Sequence, residues 1–303
     1  MIQKYAKLFS VTVPLAWGMS YLFMALGASE IPAIELVALR CGLAFLALIL
    51  IFYRHLKETF SWKMMAYSAL AGILLFAVFY FLIIGVIATS ASTAGFLAST
   101  TVVIVPTLRA IVTRKIPDAK TIIAILIVLS GLYLLTGANL LQFNLGAVMC
   151  LVSANLYAVY IILSKQIVEK VDPMSLGIWQ LGFSSLYALI GTFAFETPVL
   201  PHSNIVWFSV LGLALICSAY GWVMQTIVQS YVSAEFTSIM FTLEPIFTAI
   251  FAFIFFGELL SGLAFLGTVL IFVGILLTIY QPKKKKSFYC FTSGKSRILK
   301  FFI

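Results

Sequence analysis

Two ionisable residues, Arg40 and Glu244, stand deep in stretches that are otherwise apolar. An arginine in hydrocarbon costs about 2.5–3.5 kcal/mol on insertion scales, so Arg40 must face a bundle interior or a wet cavity. Its guanidinium suits a solute carboxylate or phosphate, held through two parallel hydrogen bonds. An ion pair with Glu35 or Glu30 is the structural alternative. Glu244 directly precedes Pro245, whose missing N–H and bulky ring disrupt a helix. Freed carbonyls beside a carboxylate make a proton or cation site. Equally, Glu244 caps the broken helix or pairs with a neighbouring donor, in a structural or gating role. Pro106 is the matching kink in an earlier run, and both prolines are expected to act as hinges.

Trp17, Ser20, Tyr21 and Met24 share one helical face by i, i+3, i+4, i+7 spacing. Ser153, Tyr157, Tyr160 and Ser164 form a second such face. Tryptophan and tyrosine ordinarily mark membrane interfaces, but Trp17 falls near the middle of its run. Aromatic rings and hydroxyls in mid-membrane suit a pocket for a planar or cationic solute. Plain helix packing is the alternative. Ser99, Thr100, Asn155, Gln180, Gln225 and Gln229 also lie deep in apolar runs, accompanied by Tyr80, Trp179, Tyr220 and Trp222. They line the pocket, or they join helices by hydrogen bonds of about 0.6 kcal/mol each. The expected substrate-binding set is therefore Trp17, Ser20, Tyr21, Arg40, Tyr80, Tyr157, Tyr160, Trp179, Gln180 and Tyr220. The expected gating or coupling set is Pro106, Glu244 and Pro245.

Catalytic chemistry is poorly provided for. There is no HExxH, no GxSxG and no nucleotide-binding loop, so any energy source is a gradient or exchange rather than ATP. Cys41, Cys150 and Cys217 fall in apolar stretches at unrelated spacing and read as small hydrophobes, and Cys290 lies in the tail. With His55 and His202 in expected loops, no metal site and no cofactor is expected.

The elements that must position these residues are membrane helices. Hydrophobic residues make up 63% of 303, charged residues only 10%, and mean hydropathy is +1.13. A soluble domain carries about 25% charged residues, so the bilayer has to be the solvent. A crossing needs about 20 mostly apolar residues. Such runs fall near 8–28, 33–53, 64–86, 92–113, 120–137, 145–165, 173–194, 205–230, 234–256 and 262–281. With the amino terminus in the cytoplasm, 17 of the 19 lysines and arginines lie on that side. The opposite loops carry Glu30, Glu196 and Glu258 instead. This is a strong positive-inside pattern, placing both termini in the cytoplasm. The two exceptions are Arg40 and Arg109, and Arg109 is close enough to the cytoplasmic basic cluster to snorkel.

A repeat runs through the chain at an offset of about 140 residues. Gly72 and Tyr80 recur as Gly212 and Tyr220, Pro106 as Pro245, and Gly131 as Gly274. Trp17, Ser20 and Met24 align with Tyr157, Tyr160 and Ser164. The first helix thus has a partner that cannot be a cleaved leader, so it reads as a true span. Each half holds five spans, and an odd number turns the second half upside down. The expected fold is all-α and integral to the membrane: ten helices in two inverted five-helix repeats, 1–140 and 141–282, then a basic tail, 283–303. That is an architecture of secondary transporters, with the site between the halves. A duplicated scaffold without transport is the alternative.

Ala16-Trp17-Gly18, Pro106, Leu243-Glu244-Pro245, Gly257-Glu258 and the glycines Gly131, Gly267 and Gly274 resemble the EamA-type drug/metabolite transporters. The resemblance covers nearly the whole chain up to about residue 282. It implies ten helices, two inverted repeats, and movement of a small metabolite, often export, across a plasma or bacterial inner membrane. Tyr157 departs from the family, many of whose members have tryptophan there. An amino acid or related polar compound is the expected solute, moved by alternating access. An intramembrane lipid-acting enzyme and a non-transporting scaffold are the rival readings. The expected partners are the solute and the bilayer, with Lys283 to Lys286 suited to anionic lipid; no nucleic acid is expected.

Overall fold

The computed structural model describes residues 2–89, 91–114, 118–136, 145–256 and 262–279. Gly257, Glu258 and the basic tail lie outside them. Every regular element among the described residues is helical. In chain order these are α1 (Ile2–Gly18), α2 (Ser20–Gly27), α3 (Ala33–Glu58), α4 (Trp62–Ala88), α5 (Ala91–Ser99), α6 (Thr101–Thr113) and α7 (Ala119–Thr136). There follow α8 (Leu145–Ile167), α9 (Pro173–Phe195), α10 (Asn204–Gly212), a π-helical stretch (Leu213–Tyr220), α11 (Gly221–Gln229), α12 (Ala234–Phe241), α13 (Glu244–Phe256) and α14 (Gly262–Ile279).

Among the described residues, six segments are long and apolar enough to cross a membrane: Leu8–Gly27, Ala33–Glu58, Trp62–Ala88, Leu145–Ile167, Pro173–Phe195 and Asn204–Gln229. Shorter apolar helices cover Leu97–Val112, Ala119–Leu134 and Phe265–Gly274. The protein is a multi-pass integral membrane protein. Its outward faces are apolar, as at Leu50 and Phe195, because lipid rather than water surrounds them.

Helix starts follow local chemistry. Ser61, Asp172, Ser203 and Ser233 each accept a backbone N–H three residues on, satisfying one orphan donor of the first turn. Pro173 occupies the first turn of α9, where its missing N–H costs nothing.

Four of the expected continuous spans are interrupted. The first breaks at Met19, the fourth at Thr100 and the ninth at Thr242 and Leu243, while the eighth passes through the π-helix. The fourth-span break thus falls six residues before Pro106, which lies inside α6. Pro245 sits in the first turn of α13, so it begins a helix rather than bending one.

Packing places α3 against α9 and against the π-helix, α4 against α8 and α9, and α1 against α11 and α13. Helices α7 and α14 pack closely together. A Cβ on Gly131 would stand 2.7 Å from the Gly267 carbonyl oxygen, and one on Gly274 would stand 2.5 Å from Val128 Cγ2. Only glycine lets these backbones approach so closely, as is usual where helices meet in lipid.

The loop carboxylates knit one end of the bundle. Glu196 accepts hydrogen bonds from the N–H groups of Ile34 and Glu35 at 3.0 and 2.9 Å, capping α3. Glu35 in return accepts from Val199, and Glu30 from His202 and Ser203. Hydrogen bonds from Ser203 and His202 hold the Glu30 carboxyl below its ordinary range. At the opposite end His55 Nε2 meets Asp172 Oδ2 at 2.9 Å, tying α3 to the start of α9. Burial pushes the Asp172 carboxyl up, but hydrogen bonds from His55 and Ser175 outweigh it and hold it low.

Two outcomes are expected. Glu196→Ala leaves the first turn of α3 uncapped and lowers stability by about 1–2 kcal/mol, measured as thermal denaturation in mild detergent. For Asp172 the depressed folded pKa means its contribution is present above the unfolded value of about 4 and lost as pH falls through the folded one. The melting-temperature gap between wild type and Asp172→Asn should therefore be open at pH 7 and close on acidification below about pH 4.

Candidate solute-binding site

The interruptions meet at the centre of the bundle and surround a cavity. Trp17, Ser20 and Tyr21 come from the break between α1 and α2, and Ser99 and Thr101 from that between α5 and α6. Phe241 and Glu244 flank the break between α12 and α13, and Trp222 follows the π-helix. Arg40 from α3, Val78, Phe79 and Leu82 from α4, and Ser153, Ala154 and Tyr157 from α8 complete the wall with Ala98. The cavity has about 40 Å³ of free space, room for a few waters at about 10–15 Å³ each.

One face is aromatic. The Trp17 ring lies 4.7 Å from Trp222 and 5.0 Å from Phe241 between centroids, and Tyr157 stacks on Phe241 at 6.0 Å. Trp17 Nε1 donates to the Cys217 carbonyl at 2.8 Å, so its polar edge is used inside the protein. A Cβ on Gly221 would stand 2.3 Å from Trp17 Nε1, so a glycine there is the condition for seating this indole.

The other face carries charge. Arg40 is 1% exposed. Its Nε donates to Ser218 Oγ at 3.1 Å, and the guanidinium lies 3.9 Å above the Phe79 ring. Nη1 is buried without a hydrogen-bond partner. Neither Glu35 nor Glu30 pairs with it, since both serve loop N–H groups. Glu244 stands in the first turn of α13, where the helix dipole favours its charge. Tyr21 and Arg40 line the same cavity as this carboxyl, and no direct ion pair joins Arg40 to it.

Of the expected residues, Trp17, Ser20, Tyr21, Arg40, Tyr157 and Glu244 line this cavity, and Tyr80, Tyr160, Trp179, Gln180 and Tyr220 do not. Tyr80 packs on Phe76 and Phe81, because one residue on from Phe79 turns it about 100° away. Tyr160 sits behind Tyr157 and donates to Gln180 Oε1 at 2.8 Å. Trp179 lies beside Phe45. Tyr220 is exposed, its hydroxyl donating to Thr12, while Trp222, two residues further on, faces the cavity. Pro106 and Pro245 are buried in their helices rather than on the cavity. Arg109, expected to snorkel, pairs with Glu235 at the start of α12. Sequence reasoning missed Phe79, Phe241 and Ser218. An apolar ring or a serine in an apolar run carries no signal of what it will face.

The profile of the EamA-like transporter family matches residues 4–137 and again residues 144–280. The chain belongs to that family. Its members are transporters and not enzymes. Three relatives from Archaeoglobus fulgidus, each named only as an uncharacterized transporter, are similar to it. One is 26% identical over 87% of this chain and 93% of its own length. A second is 26% identical over 68% of this chain and 66% of its own, and a third is 27% identical over 53% and 57%. This EamA chain also shares its fold with a protein of known crystal structure, at TM-score 0.75 and 16% identity, covering 91% of this chain and 96% of that one.

The unpaired Arg40 nitrogen gives a signed expectation. A buried charge with no ion-pair partner carries an uncompensated desolvation cost of several kcal/mol, which an apolar residue of similar volume avoids. Arg40→Met should thus melt at or above the wild-type temperature while losing solute binding. A large fall in melting temperature would instead make Arg40 structural.

Proposed function

We propose that this EamA protein is a secondary transporter that moves a small polar metabolite, an amino acid or related compound, by alternating access and in the export direction. The observation that carries the reading is the central cavity, whose charged groups come one from each family-matched half, Arg40 from the first and Glu244 from the second. A guanidinium and a carboxyl group beside an aromatic face suit a solute bearing both an anionic and a hydrogen-bonding or cationic group. A cavity with room for only a few waters must widen before such a solute can enter or leave, which is what alternating access supplies.

The proposed architecture is ten spans in two inverted repeats, 1–140 and 141–282, with a basic tail from 283 to 303 and both termini cytoplasmic. Pairings that exchange under the 140-residue offset support it. Helix α3 packs on its counterpart α9, and α7 on its counterpart α14. The packing of α4 on α8 has its counterpart in that of α1 on α11 and the π-helix. In this reading the first and sixth spans, and the fourth and ninth, rock about the cavity. Their flexible points are the breaks at Thr100 and Thr242–Leu243, with Pro106 and Pro245 alongside and Glu244 as the coupling or gating acid. The basic tail would rest on anionic lipid.

The test is thermal stabilisation of the purified protein by a panel of amino acids, nucleobases, quaternary amines, sugar phosphates and adenosyl compounds. A solute at 100 times its Kd adds about 2.7 kcal/mol to the state that binds it. The expected hit is saturable, is lost in Trp17→Ala and Arg40→Met, and is taken up by proteoliposomes. A hit unaffected by both substitutions would move the site away from this cavity.

A further inference from the structure

Behind the cavity, α8, α9 and α11 bury a row of neutral polar side chains, of which only Tyr157 belongs to the cavity wall. Tyr157, Tyr160 and Ser164 follow one another along α8 at helical spacing, facing Gln180 on α9 and Gln225 and Gln229 on α11. From Tyr157 to Ser164 the row advances about 10 Å at 1.5 Å per residue. It starts at the cavity wall and ends beside Lys165.

The two ends of the row differ. At the Lys165 end the members of the row are paired, and only the neighbouring Gln166 Oε1 is buried without a partner. Ser164 Oγ donates to Gln229 Oε1 at 2.8 Å, and Gln229 Nε2 donates to the Ile161 carbonyl at 2.9 Å. Lys165 Nζ donates to the carbonyls of Gln229 and Ser230, which end α11. At the cavity end the pairing fails. Tyr157 Oη, Gln180 Nε2 and both polar atoms of Gln225 are buried without a hydrogen-bond partner. The Gln225 amide lies next to the Tyr157 hydroxyl, yet neither closes a bond to the other. Each such unpaired buried group costs about 1–3 kcal/mol. A row that served only to join helices would be paired along its whole length.

We propose that this row is the solute's path between the cavity and the Lys165 end of the bundle, shut in this conformation by the Ser164–Gln229 bond. The unpaired amide and hydroxyl groups are hydrogen-bonding sites for water or a neutral polar part of the solute when the path opens. The lining is uncharged until Lys165, so it passes a polar molecule without trapping it as a fixed counter-charge would. The path deepens the transport reading above and rests on it, but its test needs no solute.

Ser164→Cys, Gln225→Cys and the control Ala71→Cys, a fully buried site on α4, are exposed in sealed vesicles to a charged, membrane-impermeant thiol reagent from either side. Modification is read peptide by peptide, so native cysteines do not interfere. A core position reacts only through local unfolding; reaction at Ser164→Cys and Gln225→Cys from the Lys165 side should be about tenfold or more faster than at Ala71→Cys. That side is the cytoplasm in the proposed orientation. The exchange of hydroxyl for thiol at Ser164 is nearly isosteric, so this variant keeps the measurement usable if Gln225→Cys folds poorly. Reaction no faster than at Ala71→Cys, or equally fast from the opposite side, overturns the path. Failure of the solute panel with positive labelling would overturn the metabolite reading and leave the path standing. Labelling failure with a positive panel would do the reverse.

Discussion

Two side chains that define the cavity hang from one irregular turn. Cys217 accepts the Trp17 indole N–H through its carbonyl, and Ser218 accepts the Arg40 Nε–H through its hydroxyl. Both acceptors lie in the π-helical stretch, Leu213–Tyr220. In a regular α-helix the Cys217 carbonyl would be committed to its own helix. The π turn loosens that pattern and presents a carbonyl and a hydroxyl to neighbouring helices. Inside hydrocarbon no water can replace either bond. The seating of α1 and α3 therefore depends on this turn, and with it the spacing of the aromatic and charged faces. Gly221, immediately after it, leaves the room the indole needs.

The same constraint explains why the cavity sits where the helices break. Irregular backbone at membrane depth is tolerated only where it is buried in protein or lines a cavity. The breaks at Met19, Thr100 and Thr242–Leu243 all contribute cavity residues, from different elements that converge. Glu244 gains from standing at a helix start, where unpaired N–H groups favour a carboxylate. Arg40 has no such help beyond Ser218 and the face of Phe79. Its free nitrogen and the unpaired Gln225 amide mark places where hydrogen-bonding capacity is held open. Interfaces far from the centre, such as α7 on α14, are filled instead by glycine and aliphatic side chains.

Polar residues at the two ends of the bundle do different work. At the end bearing Glu30, Glu35 and Glu196, carboxylates accept backbone N–H groups of facing loops, linking segments about 160–170 residues apart. At the other end side chains pair with side chains: His55 with Asp172, Arg109 with Glu235, and Lys165 with Glu169. Lysines and arginines cluster at that end. Carboxylates brought near them pair directly, whereas those at the end without lysines turn to the backbone.

What the sequence determined by itself is whatever depends on composition and period. Runs of about 20 apolar residues require helices in a bilayer, and among the described residues six of them form helices long and apolar enough to cross, with shorter apolar helices in three more. Arg40 and Glu244 announced themselves because a charge in such a run is expensive and must be buried among polar or charged company. Trp17, Ser20, Tyr21 and Tyr157 followed from spacing on one helical face. Tertiary structure alone decided the rest. Tyr80 and Phe79 differ by one residue, yet only Phe79 meets the cavity, because helix rotation is set by packing against α8 and α9. Tyr220 matched Tyr80 in the repeat, and both face away from the cavity, which Leu82 and Trp222, two residues further on, line instead. Gln180, Gln225 and Gln229 were legible as buried and polar. That they form one row with α8, paired at one end and open at the other, depends on how three helices cross, and crossing is a property of packed surfaces rather than of any one segment.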